Sequence, residues 1–503
     1  MHPVTRREWL RLGLSALPAA SLSPAAAVAR PNIIVILADD LGYGDLSCLN
    51  PKSKIQTPNL DRIAREGMTF TDAHSPSSVC TPTRYGLLTG RYCWRSRLKR
   101  GVLMGGSPSL MSRERLNLAS LLKSRGYATA CVGKWHLGLD WATKSGEPVA
   151  ADMSNVDFSK PFCNGPTALG FDYYYGISAS LDMPPYIYLE NDRATQPPVG
   201  MSEGQPFPRN WRPGPIAGDF KHREVLSRLT EKATGWIDRW AKSKDGKPFF
   251  LYLPLSAPHT PVVPREQFLN KTGAGDYGAF VAEVDWSVHQ VMEAVRRAGA
   301  DRDTLLFFTS DNGPEWQMEE RKKEFQHFSA AHFRGHKRHI WDGGHRVPFL
   351  ARWPARIRPG VQSGQLVCLT DFLATAAELL KAPLPHNAGE DSFSILPALT
   401  GEKPSGAVRD AAVHHSASGA FAIRQGDWKL LLLRGTGDGA PSKDTGLPPG
   451  QLYNMAKDPS EENNLYNQHP EIVQRLTALL EKYKAEGRST PGKPVPPRAD
   501  EAA

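Results

Sequence analysis

The sequence predicts an α/β fold in two parts. A large domain is expected to contain a mostly parallel central sheet flanked by helices, and a smaller C-terminal α+β domain is expected to contain an antiparallel sheet. Three observations support this prediction: strand-length apolar runs alternate with amphipathic segments, polar residues follow four of those runs, and the pattern changes beyond about residue 400. A chain of 503 residues is long enough for both domains.

Four apolar runs are predicted to be strands of the central sheet, namely NIIVILADD, ATACVGKWH, KPFFLYLPLSAPH and TLLFFTSDNG. The segments around them place apolar residues at helical spacing, in TPNLDRIAREG, SRERLNLASLLKSRG, HREVLSRLTEKATGWIDRWAKS and DYGAFVAEVDWSVHQVMEAVRRAG. A Pro- and Tyr-rich insert at about residues 140–220 interrupts the alternation. Such alternation is typical of parallel strands joined by crossover helices.

Domain boundaries follow from the same patterns. The large domain is predicted over residues 30–400 and the smaller one over residues 401–487. The smaller domain would contain antiparallel strands in FAIRQGDWKLLLL and GQLYNM and a closing amphipathic helix in PEIVQRLTALLEKYKAEG. The polar residues 488–503 are predicted to be a flexible tail.

Residues 1–29 are predicted to be a signal peptide. The basic cluster TRREWLR leads into a short apolar stretch, and Ala27-Val28-Ala29 offers small residues to signal peptidase. The paired arginines favour a twin-arginine signal, with an ordinary Sec signal as the alternative. We therefore expect the export machinery to deliver the chain to the periplasm or the extracellular space. No apolar run is long enough to cross a bilayer, so an integral membrane protein is not expected.

Charge and cysteine content exclude other classes. The formal charge of +9 suits an anionic substrate, but no Lys/Arg run indicates nucleic-acid binding. Six cysteines occur without a C-x-x-C pair, which disfavours a zinc knuckle or a thioredoxin-like site. Cys131 and Cys368 lie in apolar runs, where cysteine packs as a small hydrophobe, so a disulfide framework is not predicted.

Side chains that can bind a metal or transfer a proton follow each of the four predicted strands. In open α/β sheets, ligands bind beyond the carboxyl ends of the strands. A single Asp-Asp or Asp-Asn-Gly could be only a turn or a helix cap, but four such strand ends together indicate one site. The residues are Asp39, Asp40, Lys134, His136, His259, Asp311 and Asn312.

Cys80, Pro82 and Arg84 form a C-x-P-x-R motif within SSVCTPTRYGLLTGRY. The chain also contains, in order along its length, ADDLGYGD, GKWHLG, PHTP, SDNGP and GHKRHIWDGGHRVP. Over about residues 31–485 this combination resembles the type I sulfatases of the alkaline phosphatase superfamily, and among them bacterial arylsulfatases and carbohydrate sulfatases. The resemblance implies a sulfuric ester hydrolase acting on a sulfated saccharide or an aryl sulfate. Galactose- and N-acetylgalactosamine-type sulfates are the favoured saccharides.

The resemblance implies that Cys80 is oxidised by a formylglycine-generating maturation enzyme. The hydrate of formylglycine would attack sulfur and give a covalent sulfo-enzyme intermediate, with Arg84 orienting the nucleophilic hydroxyl. A helix beginning near Cys80 would stabilise the anion with its N-terminus. The alternative is an unmodified thiol, buried or reactive.

The same resemblance implies one divalent cation held by Asp39, Asp40, Asp311 and Asn312, with residue 80 close to it. An oxygen-only ligand set favours calcium over magnesium, and the absence of a histidine-rich set at these positions argues against zinc.

The resemblance further implies roles for two lysines and two histidines. Lys134 and Lys337 would bind the sulfate oxygens, and His136 would deprotonate the second hydroxyl of the hydrate so that sulfate leaves. His259 would contact the sulfate and protonate the leaving alcohol, although the choice of acid between His259 and Lys337 stays open. The ordinary histidine pKa near 6.5 suits both proton transfers.

Substrate contacts are expected from the Tyr-rich insert FDYYYGISASLDMPPYIYLENDR and from the glycine-pair loop. The expected residues are Asp182, Tyr186, Glu190, His345 and Arg346. The alternative for the tyrosines is packing of the loop against the sheet. Two rival functions remain: a phosphate or phosphonate monoester hydrolase of the same superfamily, and a catalytically silent glycan-binding relative.

Overall fold

The computed structural model describes residues 30–206, 210–243, 245–402, 406–439 and 446–496. The predicted signal peptide at residues 1–29 therefore lies outside the described residues. The described strands are β1 Asn32–Ala38, β2 Met68–Phe70, β3 Ala73–His74, β4 Ala128–Lys134, β5 Tyr173–Ile177, β6 Leu189–Glu190, β7 Arg193–Ala194, β8 Gly200–Ser202, β9 Gly214–Ile216, β10 Phe249–Pro254, β11 Thr304–Ser310, β12 Phe349–Arg352, β13 Val361–Ser363, β14 Val367–Cys368, β15 Ala411–His415, β16 Phe421–Gln425, β17 Trp428–Leu431 and β18 Gln451–Asn454. The described α-helices are α1 Pro58–Glu66, α2 Cys80–Thr89, α3 Leu118–Ser124, α4 Val225–Ser243, α5 Gly275–Arg297, α6 Met318–Phe325, α7 Asp342–His345, α8 Phe372–Leu379, α9 Leu396–Thr400 and α10 Pro470–Glu486.

The large domain is built on a sheet of ten strands in the order β13-β2-β12-β11-β1-β10-β4-β5-β6-β7. Its centre is parallel, because β1 pairs in parallel with β10 and β11, and β4 pairs in parallel with β10 and β5. Every residue of β1, β10 and β11 is buried, as expected for strands covered on both faces. The predicted mostly parallel central sheet is confirmed.

The Tyr-rich insert contributes more to the sheet than the sequence indicated. Three of its strands, β5, β6 and β7, extend one edge of the central sheet. Tyr174 and Tyr175 on β5 are buried, and aromatic side chains fit the pleated, half-buried surface of an edge region well. The insert therefore extends the central sheet instead of interrupting the fold.

Helices pack in two groups that flank the central sheet. Helices α1 and α4 both contact α5, and α2, α3 and α8 form the second group. Helix α3 is shorter than the segment SRERLNLASLLKSRG suggested, because Asn117 caps it. The Asn117 side chain accepts hydrogen bonds from the backbone N–H groups of Ala119 and Ser120, which fixes the start of the helix there.

The C-terminal part forms an antiparallel sheet in the order β15-β16-β17-β18, as predicted. Helix α10 packs on this sheet through buried apolar residues including Leu476 and Leu480. All described residues from Pro31 onward belong to one compact unit. Among the described helices, none is both long enough and apolar enough to span a bilayer.

The chain beyond residue 487 continues to make contacts. The Ser489 N–H donates to the Glu390 carbonyl at 3.0 Å, and the Val495 N–H donates to the Glu486 carbonyl at 2.8 Å. Arg488, Ser489 and Val495 are buried. The flexible tail predicted from residue 488 thus does not describe residues 488–496, whose backbone groups find partners in the folded chain.

Candidate active site

The four predicted strand ends meet at one edge of the central sheet. Strands β11, β1, β10 and β4 are consecutive neighbours and mutually parallel, so their carboxyl ends lie side by side. The residues that follow these ends form one buried cluster. They are Asp39, Asp40, Lys134, His136, His259, Asp311 and Asn312.

Cys80 is the first residue of α2 and is 2% exposed. Val79 precedes it in extended conformation and offers no side-chain cap, so the first N–H groups of α2 have no side-chain acceptor at the cap. Such a helix start favours a bound anion. Burial raises the pKa of the Cys80 thiol to about 12, so the unmodified thiol is protonated at neutral pH.

Arg84 lies one turn after Cys80 and is fully buried. Its guanidinium donates from Nη2 to Asp311 Oδ2 at 2.7 Å and from Nη1 to the Lys134 carbonyl at 3.0 Å. Burial alone would lower the pKa of Arg84, but the Asp311 and Asp39 carboxylates outweigh it and raise the pKa. Arg84 therefore carries a permanent positive charge that fixes two strand ends against α2.

Lys134 contacts Asp39, the residue that follows β1. Its Nζ donates to both Asp39 carboxylate oxygens at 2.8 Å. Burial alone would raise the pKa of Asp39, but Lys134, followed by His259 and Arg84, lowers the pKa below its usual value. Asp39 is thus ionised inside the cluster.

Lys337 comes from the loop after α6 and completes the cluster. Its Nζ donates to Asp40 Oδ2 at 2.7 Å and lies 3.0 Å from His259 Nε2. Asn312 Nδ2 donates to the other oxygen, Asp40 Oδ1, at 2.7 Å. His259 Nδ1 donates to the Thr260 carbonyl, so its Nε2 faces the Lys337 ammonium.

His136 is held in a different way. Its Nε2 donates to the Leu103 carbonyl at 2.7 Å, so Nδ1 carries no proton; it is buried and has no hydrogen-bond partner in the part of the chain that the structure describes. Burial, followed by the charge of Lys134, lowers the pKa of His136 well below 6.5. A neutral imidazole with one free nitrogen can accept a proton.

The donor set fits a hard cation. Ligand atoms from four residues lie within 4.8 Å of one another: Asp39, Asp40, Cys80 and His259. Asn312 Oδ1 is buried and has no hydrogen-bond partner among the described residues, so it is open to a ligand. The three predicted aspartate ligands all accept hydrogen bonds inside the cluster: Asp39 from Lys134, Asp40 from Lys337 and Asn312, and Asp311 from Arg84.

A cavity of about 830 Å³ opens onto the cluster. Asp40 and Glu315 form part of its lining next to Thr260, which follows His259. The lining also includes residues from two further stretches of chain, residues 211–223 and residues 274–325. This cavity is the place where a substrate can reach the buried charges.

The predicted substrate contacts divide into one near the cluster and four elsewhere. Asp182 Oδ1 lies 3.9 Å from His259 Nδ1. The Tyr186 hydroxyl instead donates to the Asp182 and Arg212 carbonyls, which ties the insert together. Glu190 accepts from the Tyr173 hydroxyl at the sheet edge.

His345 and Arg346 are the other two, and they lie at the junction with the C-terminal sheet. His345 contacts His74 at 3.0 Å, and Arg346 pairs with Asp72 and Asp342. Internal contacts occupy the side chains of Tyr186, Glu190, His345 and Arg346, and their binding of substrate stays a prediction.

Sequence reasoning also missed functional candidates. Glu315 lies 3.4 Å from Lys337 Nζ and pairs with Arg338, and its only sequence signal is a carboxylate three residues after Asn312. Trp211 and His222 line the cavity, but they lie about 50 and 40 residues before the nearest catalytic motif, so no spacing rule indicates them.

The fold and this cluster belong to a known class of enzyme. The Sulfatase family matches residues 31–382, and the C-terminal region of N-sulphoglucosamine sulphohydrolase matches residues 331–486. The chain belongs to the sulfatase family, the type I sulfatases of the alkaline phosphatase superfamily, and is a sulfuric ester hydrolase.

Individual relatives cover almost the whole chain. The N-acetylgalactosamine-6-O-sulfatase of Bacteroides thetaiotaomicron is 33% identical over 90% of this chain and 93% of that protein. Human arylsulfatase A is 33% identical over 91% of this chain and 89% of that protein. A solved sulfatase structure from the glycosaminoglycan metabolism locus of Bacteroides thetaiotaomicron superposes with a TM-score of 0.79 at 33% identity, covering 91% of this chain and 99% of that chain.

Proposed function

We propose that this sulfatase is exported and removes sulfate from a sulfated carbohydrate of the N-acetylgalactosamine or galactose type. The observation that carries the proposal is the placement of Cys80 at the start of α2, within 4.8 Å of Asp39, Asp40 and His259 and beside a large cavity. The similarity to an N-acetylgalactosamine-6-O-sulfatase over 90% of the chain supports the sugar class.

The proposal includes formylglycine at position 80 and one calcium ion. The modified residue would supply a hydrated aldehyde whose hydroxyl attacks sulfur. A bound cation would offset the repulsion between the carboxylates and polarise the sulfate. Asp39, Asp40, Asp311 and Asn312 would hold the ion. The clustered carboxylates of Asp39 and Asp40 and the open Asn312 Oδ1 support three of these ligands, and Asp311 Oδ2 would have to share its place with Arg84.

The charged side chains would bind and orient the sulfate group. Lys134 and Lys337 bring two ammonium groups into the cluster from opposite sides, one against Asp39 and the other against Asp40. Arg84 lies one turn after residue 80 on α2 and hydrogen-bonds Asp311, the residue that follows β11. Preorganised positive charge of this kind stabilises the charge that develops during sulfuryl transfer.

Two histidines would move the protons. His259 Nε2 lies 3.0 Å from the Lys337 ammonium, so this pair can supply the proton that the leaving alcohol needs. His136 Nδ1 is bare and neutral, so it can take the proton released when the enzyme expels sulfate and regenerates the aldehyde. The two steps thus use separate imidazoles on separate strand ends.

The test uses protein co-produced with a formylglycine-generating enzyme. Mass spectrometry of the peptide around residue 80 should show aldehyde in place of thiol, and the enzyme should release sulfate from N-acetylgalactosamine 6-sulfate and from 4-nitrophenyl sulfate. Cys131→Ala, a change at a buried cysteine on β4, is the matched control and should keep activity. Faster turnover of 4-nitrophenyl phosphate than of the sulfate would contradict the assignment.

The metal proposal has its own test. Removal of bound ions with a chelator should abolish activity and lower Tm, and calcium should restore both more effectively than magnesium. Native mass spectrometry should count one ion per chain. Full activity of the ion-free protein would contradict the calcium assignment.

A further inference from the structure

One wall of the active-site cavity is formed by residues 211–223 and carries Trp211, Lys221, His222 and Arg223. Residues 274–325 contribute the carboxylates Asp276, Glu320 and Glu324 to the lining. They also contribute Arg321, but that guanidinium is buried and lies over the Tyr277 ring. The exposed cations Lys221 and Arg223 therefore come from the wall formed by residues 211–223.

Arg212 follows Trp211 and adds a third cation beside that wall. Only Nη1 of its guanidinium hydrogen-bonds within the described chain, to Asp182, and the side chain is 48% exposed. Asp182 is itself buried, with its carbonyl held by the Arg212 N–H and the Tyr186 hydroxyl at 3.0 Å each. Asp182 thus holds Nη1, while Nε and Nη2 of this half-exposed guanidinium make no hydrogen bond within the described chain and can bind an anion in a bidentate manner.

The other two cations on this wall are free to exchange partners. Lys221 pairs with Glu224 at 3.3 Å and Arg223 with Glu266 at 3.0 Å, and all four side chains are about half exposed or more. Exposed ion pairs of this kind contribute little, so an incoming anion can displace them.

Between these cations lies a rigid aromatic surface. The Trp211 ring stacks on His222 with centroids 4.3 Å apart, and its Nε1 donates to Ser202 Oγ. Tyr186 and Phe220 pack around His222 from behind. Burial lowers the pKa of His222 to about 4, so it adds no charge at neutral pH.

We propose that an anion-binding subsite is formed by Trp211, Arg212, Lys221 and Arg223. This subsite binds a second negatively charged group of the substrate, in addition to the sulfate that is hydrolysed. The proposal rests on the proposed function and narrows its substrate class to acidic glycans. The sugar ring lies on Trp211, and a carboxylate or a second sulfate pairs with the cations. The carboxylates that residues 274–325 add to the lining favour this orientation, because they repel the same group.

The experiment compares kcat/KM for three substrates with the same 6-sulfated N-acetylgalactosamine: the monosaccharide, its disaccharide with a uronic acid, and its 4,6-disulfated form. The enzyme should prefer at least one doubly charged substrate, and which one identifies the carboxylate or the sulfate as the partner. Arg212→Gln should reduce that preference about 10-fold, since a charge-assisted hydrogen bond is lost, while changing the monosaccharide rate about twofold or less.

Two further variants guard against a merely structural effect of leaving Asp182 unpaired. Arg212→Lys should keep much of the preference, and the double variant Lys221→Gln, Arg223→Gln should lower it without touching Asp182. Arg193→Gln, at an exposed arginine of the same insert paired with Asp192, is the matched control and should change nothing.

Equal kcat/KM for all three substrates, or a preference unchanged by Arg212→Gln and by the double variant, would overturn the subsite. Binding of the desulfated uronic acid disaccharide by calorimetry tests the same subsite without catalysis, and should weaken in both variants. Failure of the proposed function looks different, because the enzyme would then release no sulfate from any substrate while this binding could still be measured.

Discussion

Two buried clusters in this protein use similar side chains in different settings. The active-site cluster lies at the strand ends and includes His136 and His259. The histidine junction, defined as His74, His345 and His414 with Lys429, lies between the large domain and the C-terminal sheet. In the junction the His345 and His414 rings stack 4.0 Å apart, and Lys429 donates to Asp342 at 2.7 Å and to Glu461 at 2.8 Å.

The difference lies in access and position rather than in composition. Asp40 in the active-site cluster borders a cavity of about 830 Å³, whereas the junction histidines face one another and the C-terminal strands β15 and β17. Lys134 and Lys337 lie in the cluster where we propose that sulfate binds, whereas Lys429 links the large domain to the C-terminal sheet. A buried histidine or lysine therefore indicates catalysis here only when it also follows a strand of the parallel sheet or lines the cavity.

The largest expected effect comes from the active-site cluster. Cys80→Ala should lower kcat for 4-nitrophenyl sulfate by at least about 10,000-fold, because the proposed nucleophile is lost. The melting temperature should change little, since an alanine fits at the start of α2. Activity assays and circular dichroism melting measure both effects, and an active alanine variant would refute a role for residue 80 as nucleophile.

The junction should respond in the opposite way. Lys429→Met leaves the buried Asp342 and Glu461 carboxylates without their common cation, so the free energy of unfolding should fall by about 3–5 kcal/mol. The kcat of the folded fraction should stay near that of the unaltered enzyme. Urea unfolding measures the loss. Lys123→Met, at an exposed pair with Asp172, is the control and should cost about 1 kcal/mol or less.

Acid should also act on the junction. Burial lowers the pKa of His74 to about 3 and the pKa of His345 and His414 well below 6.5. The unfolded chain binds these protons near pH 6.5 and the folded chain does not. The free energy of unfolding should therefore have its full value above pH 6.5. It should decrease as the pH falls below 6.5, by up to about 1.4 kcal/mol per pH unit for each histidine.

One carboxylate opposes this trend. Burial raises the pKa of Glu461 to about 7, so its protonation on acidification favours the folded state and offsets about one histidine. Urea unfolding at pH 7.5, 6.5 and 5.5 should still show a net loss. His414→Asn should flatten the profile and His289→Asn on α5 should leave it unchanged; identical slopes for both would contradict the role of the junction.

The smallest effect is expected beside the active-site cluster. Glu315→Gln removes the carboxylate 3.4 Å from Lys337 Nζ and weakens the hold on Arg338, so kcat/KM should fall about 10-fold, as for other groups that support a ligand-binding residue. Glu319→Gln on α6 is the control. An unchanged kcat/KM in Glu315→Gln would show that Asp40 alone positions Lys337.

The sequence predicts the centre of the fold well because parallel strands buried on both faces produce long apolar runs that few other structures require. Strands β1, β4, β10 and β11 were all visible in this way. The edge strands β6 and β7 were not, because two-residue pairings carry no periodicity. Residues 488–496 are polar, a composition that predicts flexibility. The backbone hydrogen bonds of Ser489, Thr490 and Val495 nevertheless attach this segment to the folded chain.

The active site was predictable where a motif follows a strand, as for Asp39, Asp311 and Lys134. Partners that come from irregular segments were not. Trp211 and Arg212 lie on the hairpin between β8 and β9, and only the fold brings that hairpin to the cavity. His345 and Arg346, which were expected at the substrate, contact His74 and Asp342 instead, because nearness to Lys337 in sequence does not give the direction of a side chain.

The contacts of Ser489 tie the segment after α10 to the large domain. The N–H groups of Ser489 and Thr490 both donate to the Glu390 carbonyl, and the Ser489 N–H also donates to the Asp391 carboxylate, which binds Arg95. A protease cut or a pulling force that detaches residues 489 and 490 would therefore remove donors from Glu390 and Asp391, and would loosen the large domain far from the cut itself.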